Sequence, residues 1–267
     1  HRGMANAWLS GDPSFKEKVT AKTAEIEADL RKVDAADARF GAEFQTHDEW
    51  ASLRASCKDL LVRTPNLSPA DSFALHSRAI ADTIGMIGAV GDASKLILDP
   101  DLDSYYLMDV IIAQGPELSE FLAQARGLGS GMAASKKASP EELDKLKRLA
   151  LLIEFRQPKL GDALNKAMTF DPGLKPALEG RTRATTLAVQ EASDHVRRVS
   201  GDSQLDAATY YGAVTRGIDA LFQIQEQAAT ELGGLLNRRI GKFEREIWLT
   251  LAFAALGLLV VAVIAYF

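Results

Sequence analysis

The sequence predicts an all-α protein: two stacked up-down four-helix bundles, with a long C-terminal helix that continues into a transmembrane span. Three observations predict it. Strand signals are nearly absent, with no sustained alternation of β-branched residues and no Asn-Gly hairpin pair. Apolar residues recur instead at helical spacing along most of the chain. The last 21 residues, Ile247 to Phe267, carry no charge. Roughly 20 such residues are needed to cross a hydrocarbon core of ~30 Å.

The helices follow from apolar seams and the breaks between them. Phe15, Val19, Ile26, Leu30, Val33 and Phe40 share one seam and predict a first long helix. Val189, Ala192, Val196 and Val199 predict another. The longest seam runs Val214, Ile218, Leu221, Gln225, Ala228, Leu232 and Leu235, with spacings alternating four and three. Near Leu235 it moves by one position to Leu236, Ile240, Phe243 and Ile247, a stutter-like change of phase that relaxes supercoiling locally. Turn and cap residues at Gly11-Asp12-Pro13, Pro65 to Pro69, Asp99-Pro100, Gly115-Pro116, Gly127 to Ser139, Asp171-Pro172 and Gly201 to Ser203 mark the breaks. Asp12, Asp99 and Asp171 each precede a proline, which predicts an N-cap with proline at the first helical position. Ser139-Pro140-Glu141-Glu142 predicts a capping box.

The last helix is expected from about Gln204 to Phe267, because Gly233-Gly234 weakens a helix without ending it. Trp248 and Tyr266 stand at opposite ends of the uncharged run, where an aromatic belt belongs. Arg238, Arg239, Lys242 and Arg245 precede the run, offset by Glu244 and Glu246, and one flank alone does not orient a span. His1 in place of a Met leads us to expect an upstream segment with room for a first span.

The two halves echo each other. Asp12-Pro13-Ser14-Phe15-Lys16 resembles Asp171-Pro172-Gly173-Leu174-Lys175, and Phe73, Ser77, Arg78 and Ile80 share the spacing of Tyr211, Thr215, Arg216 and Ile218. The offsets differ, so an insertion or deletion separates the two anchors. Such a duplication implies two stacked bundles rather than one elongated one.

Composition narrows the function. A length of 267 residues allows one or two domains. A net charge of −5 and the lack of a basic stripe argue against nucleic acid. Cys57 is the only cysteine, which excludes an internal disulfide and a cysteine-based metal site. His1, His47, His76 and His195 form no HExxH-like ligand spacing, so no metal is expected. No GxSxG context and no phosphate-cradling glycine loop occurs, so neither an enzyme nor a cofactor is expected.

Two features carry candidate binding residues. Asp99 to Asp109 (DPDLDSYYLMD) is the densest polar and aromatic cluster. Its acids begin like a calcium loop, but Ser104 replaces the glycine at position six and Val110 the bidentate glutamate, which rejects an EF-hand. It reads as a helix start with acids near its positive end, or as a ligand-lining turn offering Tyr105 and Tyr106. The second feature is arginine among apolar neighbours: Arg2, Arg216 and its counterpart Arg78. Such side chains are either solvated at the surface or buried against an anion or carboxylate, since guanidinium stays protonated.

His1-Arg2-Gly3-Met4-Ala5-Asn6-Ala7, followed by a Gly-Asp turn, resembles the nitrate- and nitrite-sensing type of bacterial extracytoplasmic sensor domain. The DPDLDSYYLMD stretch and the terminal apolar helix are similar to all-helical input regions of chemoreceptors and sensor kinases. The resemblance implies a pair of four-helix bundles with arginines set for a small oxyanion, Arg2 being the carried-over ligand residue and Arg216 a weaker one. Residues 1–246 are then an extracytoplasmic sensor region, with sub-bundles of about 1–98 and 99–246, and 247–267 a transmembrane helix. The expected ligand is a small molecule or anion, the expected assembly a homodimer, and the expected location the bacterial inner membrane with residues 1–246 facing the periplasm or exterior. The competing reading is a membrane-anchored helical scaffold that binds another protein, with a continuous apolar core and no polar pocket between helices.

Overall fold

In a computed structural model, which describes residues 1–136, 138–201 and 206–267, the fold is all-α, and no strand occurs among the described residues. The helices are α1 (Arg2–Leu9), α2 (Lys16–Phe44), α3 (His47–Arg63), α4 (Pro69–Ala93), α5 (Leu102–Asp109), α6 (Gly115–Ser135), α7 (Pro140–Phe170), α8 (Lys175–Gly201) and α9 (Ala207–Tyr266). Gln204 and the turn at 202–203 lie outside the described residues; Asp206 caps α9 by accepting from the Thr209 N–H.

The capping grammar explains most starts. Asp12 and Asp171 each accept from the N–H two residues on and open a short 3₁₀ turn, Pro13–Phe15 and Pro172–Leu174, that feeds a long helix. The echo between the halves is therefore structural at this point. Ser139 forms the full capping box with Glu142. Asp99 behaves differently from the expected N-cap: α5 begins at Leu102, and the Asp99 carboxylate accepts from the Asp101 N–H and from Arg239 on α9. One oxygen, Oδ1, serves both the local N–H and a charged partner from a distant helix.

Gly115-Pro116 also differs from expectation. Instead of a break, a five-residue π turn, Val110–Gln114, joins α5 to α6 in one rod. Proline cannot donate the helical hydrogen bond, and a widened turn just before it absorbs the defect.

The core lies mainly in α5–α6, α7, α8 and α9. Leu118, Leu122, Leu146, Ile153, Leu164, Leu178, Leu221 and Ile224 are fully or almost fully buried in one cluster. A smaller cluster of Leu30, Trp50, Leu53 and Met86 joins α2, α3 and α4. It leaves part of the α2 seam uncovered: Val19 and Leu30 are buried, while Val33 and Phe40 are exposed. The sets meet where α4 runs beside α6 in the opposite direction, Phe73 lying near Gly127 and Ile112 near Gly91.

On α9 the seam of Val214, Ile218, Leu221, Ala228, Leu232 and Leu235 is buried. Past the phase change, Ile240, Phe243 and Ile247 are all more than half exposed. The stutter therefore marks the point where α9 leaves its own bundle. Its 60 residues form one helix, about 90 Å long at 1.5 Å per residue. Its apolar end has a mean hydropathy of 2.7 and is wholly uncovered, which fits a membrane anchor.

Close packing of α8 on α9 is set by Gly217. A Cβ there would stand 2.9 Å from the Ala192 Cβ and 3.2 Å from the Ala188 carbonyl oxygen. Gly217→Val is expected to lower unfolding free energy by about 1–3 kcal/mol through overpacking. Gly180→Ala, in open space on α8, is expected to raise it by up to about 1 kcal/mol through helix propensity. Urea titration of the two variants checks both signs.

Candidate functional site

A cavity of about 980 Å³ separates α1 and α4 from α6 and α9. Two arginines reach it from opposite sides, each seated in the same way. Arg2 opens α1 and is only 6% exposed. Its guanidinium carbon lies 5.0 Å from the centroid of the Phe73 ring, and Nη1 donates to the Ser77 hydroxyl at 2.9 Å. Arg126 on α6 lies 5.0 Å from the Tyr211 centroid and donates to the Thr215 hydroxyl at 3.0 Å. The sequence echo of Phe73 and Ser77 in Tyr211 and Thr215 is thus a pair of arginine seats, a ring face and a hydroxyl one turn further along the helix.

The two seats differ in charge. Arg2 grips Glu120 of α6 with two parallel hydrogen bonds, Nη1 to Oε1 at 2.6 Å and Nη2 to Oε2 at 3.0 Å. Gln124 donates to the same Oε1 at 2.7 Å. Among the described residues, no carboxylate is ion-paired with Arg126. The cavity therefore contains one neutralised cation and one whose charge is available to an anion.

Behind Arg2 stand two imidazoles. His76 donates from Nδ1 to the Ser72 carbonyl at 2.7 Å, so its Nε2 accepts from His1 Nδ1, also at 2.7 Å. Burial holds the His76 imidazole below its ordinary value, against the opposing pull of the Ser72 carbonyl. A neutral His76 suits the acceptor role.

Of the residues picked from sequence, Arg2 lines this cavity. Arg216 is exposed and pairs with Glu191 at 2.5 Å, although Tyr211 and Thr215 beside it do reach the site. Arg78 is 80% exposed and faces Asp82 at 3.5 Å on its own helix. Tyr106 stacks on Phe170 and Tyr105 meets its edge, away from the cavity. The sequence reading did not select Arg126 or Glu120. A signal was present: Arg126-Gly127 repeats the Arg2-Gly3 pair, and Gly127 allows the Phe73 ring to approach, with a Cβ position only 3.3 Å from it.

A second polar cluster lies at the other end of the bundle. Arg239 of α9 meets Asp99 at 2.9 Å, Asp101 at 2.7 Å and the Ser104 hydroxyl at 2.6 Å. The Asp99 side chain is only 2% exposed. These acids belong to the segment that connects α4 to α5, so one arginine ties the C-terminal helix to the junction between the helix sets. Among the described residues, no group of three or more His, Cys, Asp or Glu stands together as a metal site.

An arginine-lined cavity between helix sets, in a chain that ends in an apolar helix, has the charge to hold a small anion. A family model described as nitrate and nitrite sensing matches residues 1–233, and the chain belongs to this family of receptor sensing domains. No curated protein and no solved structure matches the chain.

The Asp99 cluster makes stability depend on pH. Burial alone raises the Asp99 carboxyl, but hydrogen bonds from Arg239, the Asp101 N–H and Ser104, with the charge of Arg239, outweigh it and hold it below the ordinary carboxylate value. The depressed folded value means a contribution that is present above the unfolded pKa of ~3.9 and lost as pH falls through the folded one. Asp99→Asn is expected to cost about 1–3 kcal/mol at pH 7. Its deficit against the wild type should shrink as pH drops below about 4, followed by denaturant titration across pH.

Proposed function

We propose that residues 1–246 form the extracytoplasmic sensor region of a bacterial inner-membrane signalling receptor of the chemoreceptor or histidine-kinase type. A small oxyanion, nitrate or nitrite, binds in the cavity between the helix sets, and residues 247–267 carry the signal across the bilayer. The observation that supports this most directly is the convergence of Arg2 and Arg126 on one cavity of about 980 Å³, with the Arg126 charge left unpaired by any described carboxylate. Arg126 is the primary electrostatic anchor and Arg2 the planar fork; Tyr211 and Phe73 hold the two guanidinium planes. Arg216 acts at most on Arg126's side of the site, through its neighbours Tyr211 and Thr215. Arg78, Tyr105 and Tyr106 take no direct part in binding.

On this reading the segments of about 1–98 and 99–246 behave as two sub-bundles, and the ligand biases their relative arrangement. Transmission is a displacement of α9 by ~1–2 Å or a small rotation, passed rigidly into the membrane. The exposed stripe of Ile240, Phe243 and Ile247 suits a homodimer contact below the bundle. The scaffold alternative predicted a core without a polar pocket, and the charged cavity favours the sensor over it.

The test is a thermal-shift series on the whole chain in nanodiscs with nitrate, nitrite and chloride. Nitrate or nitrite should raise the melting temperature in a concentration-dependent way, by the mass-action rule for a ligand of the folded state. Arg126→Ala should weaken binding by at least about tenfold, equivalent to ~1.4 kcal/mol. An undiminished shift in Arg126→Ala and Arg2→Ala would refute the arginine site.

A further inference from the structure

Glu120 is the feature of this cavity that an anion site should not contain. It presents a carboxylate, 11% exposed, to the arginine that faces the cavity. The geometry is specific: both terminal nitrogens of Arg2 are engaged, one to each carboxylate oxygen. The remaining donation of Nη1 goes to Ser77. A ligand therefore cannot use the Nη1–Nη2 edge of the guanidinium while Glu120 holds it.

We propose that Glu120 is a resident competitor: its carboxylate imitates a planar oxyanion, and the ligand binds by displacing it from Arg2. The inference rests on the anion-sensing reading above and names the ligand class more narrowly, as a small planar anion with two oxygens on one edge. Such an anion reproduces the two parallel hydrogen bonds of the carboxylate. A spherical anion such as chloride cannot reproduce that pair of bonds. Arg126 supplies the charge that attracts the newcomer, and no described carboxylate contests it. The released carboxylate stays within reach of Gln124, one turn along α6, which already donates to it at 2.7 Å.

The exchange is also mechanical. Arg2 belongs to α1 and Glu120 to α6, so the ion pair is a bond between the two helix sets across the cavity wall. Replacing Glu120 by a free anion cuts that bond and retains the charge balance of Arg2. The receptor without ligand is thus held in one arrangement by its own side chain.

The experiment compares wild type with Glu120→Gln, which keeps the side-chain shape and removes the charge, in calorimetric titrations of the whole chain in nanodiscs with nitrate, acetate and chloride. Without its competitor, the variant should bind nitrate and acetate roughly tenfold tighter or more, and chloride less than about twofold tighter. In the absence of anion the variant should melt lower, and nitrate should restore more of its melting temperature than it adds to the wild type. If wild type binds nitrate but the variant binds it no better, displacement is overturned and the anion site stands. An equal gain for all three anions makes Glu120 a bystander charge and overturns displacement as well. No nitrate binding by wild type or variant refutes the site itself, which Arg126→Ala checks independently.

Discussion

A guanidinium cannot shed its charge, and the burial of Arg2 at 6% exposure organises much of what surrounds it. Left unpaired, such a cation is unaffordable in an interior, so the chain brings Glu120, Ser77 and the face of Phe73 to it from two other helices. Those partners fix how α1 lies between α4 and α6. The short helix buries only Arg2 and Ala5, too little apolar surface to hold its position by hydrophobic contact alone. Its anchor is electrostatic and directional, and an anion can compete with an anchor of that kind. A purely apolar α1 would offer a charged ligand no such purchase.

The same reasoning applies at the opposite end of the bundle. Arg239 ties α9 to Asp99 and Asp101 in the turn ahead of α5 and to Ser104 in its first turn. About 12 Å further along the helix, at 1.5 Å per residue, the uncharged run begins. Between these points α9 has no covering partner in its own bundle, as the exposure of Ile240 and Phe243 shows. The stutter near Leu235 belongs to this transition: packing inside the bundle demands one apolar face, and the bare section below presents another.

Periodic features of this fold were readable from sequence, and features created by distant pairs were not. The seam from Val214 to Leu235 is buried as expected because heptad spacing is a local property of one helix. The capping box at Ser139 is likewise contained within four residues. Asp99 looked like a local N-cap, yet its partner Arg239 lies 140 residues away. Arg2, Arg78 and Arg216 carried the same sequence signal, a charge among apolar neighbours. Only the three-dimensional course of each helix decides that Arg2 turns inward while Arg78 stays 80% exposed. Arg126 and Glu120 stood in a helix without a marked motif. The Arg-Gly repeat and the Tyr211–Thr215 echo were the traces they left.

The energetics also constrain how such a site can signal. A ligand shifts a conformational equilibrium only by the difference between its affinities for the two states, however tightly it binds overall. An anion that settled on an open arginine in both arrangements would occupy the cavity and change nothing. Under the proposed exchange, the arrangement with Arg2 bound to Glu120 excludes the ligand from the fork, and the arrangement with the pair broken admits it. Differential affinity then follows from mutual exclusion at one guanidinium. The competing carboxylate weakens binding, and that same loss is the origin of the coupling between ligand and helix position. High affinity and strong switching are therefore opposed at this site, and the strength of the Arg2–Glu120 pair sets the balance between them.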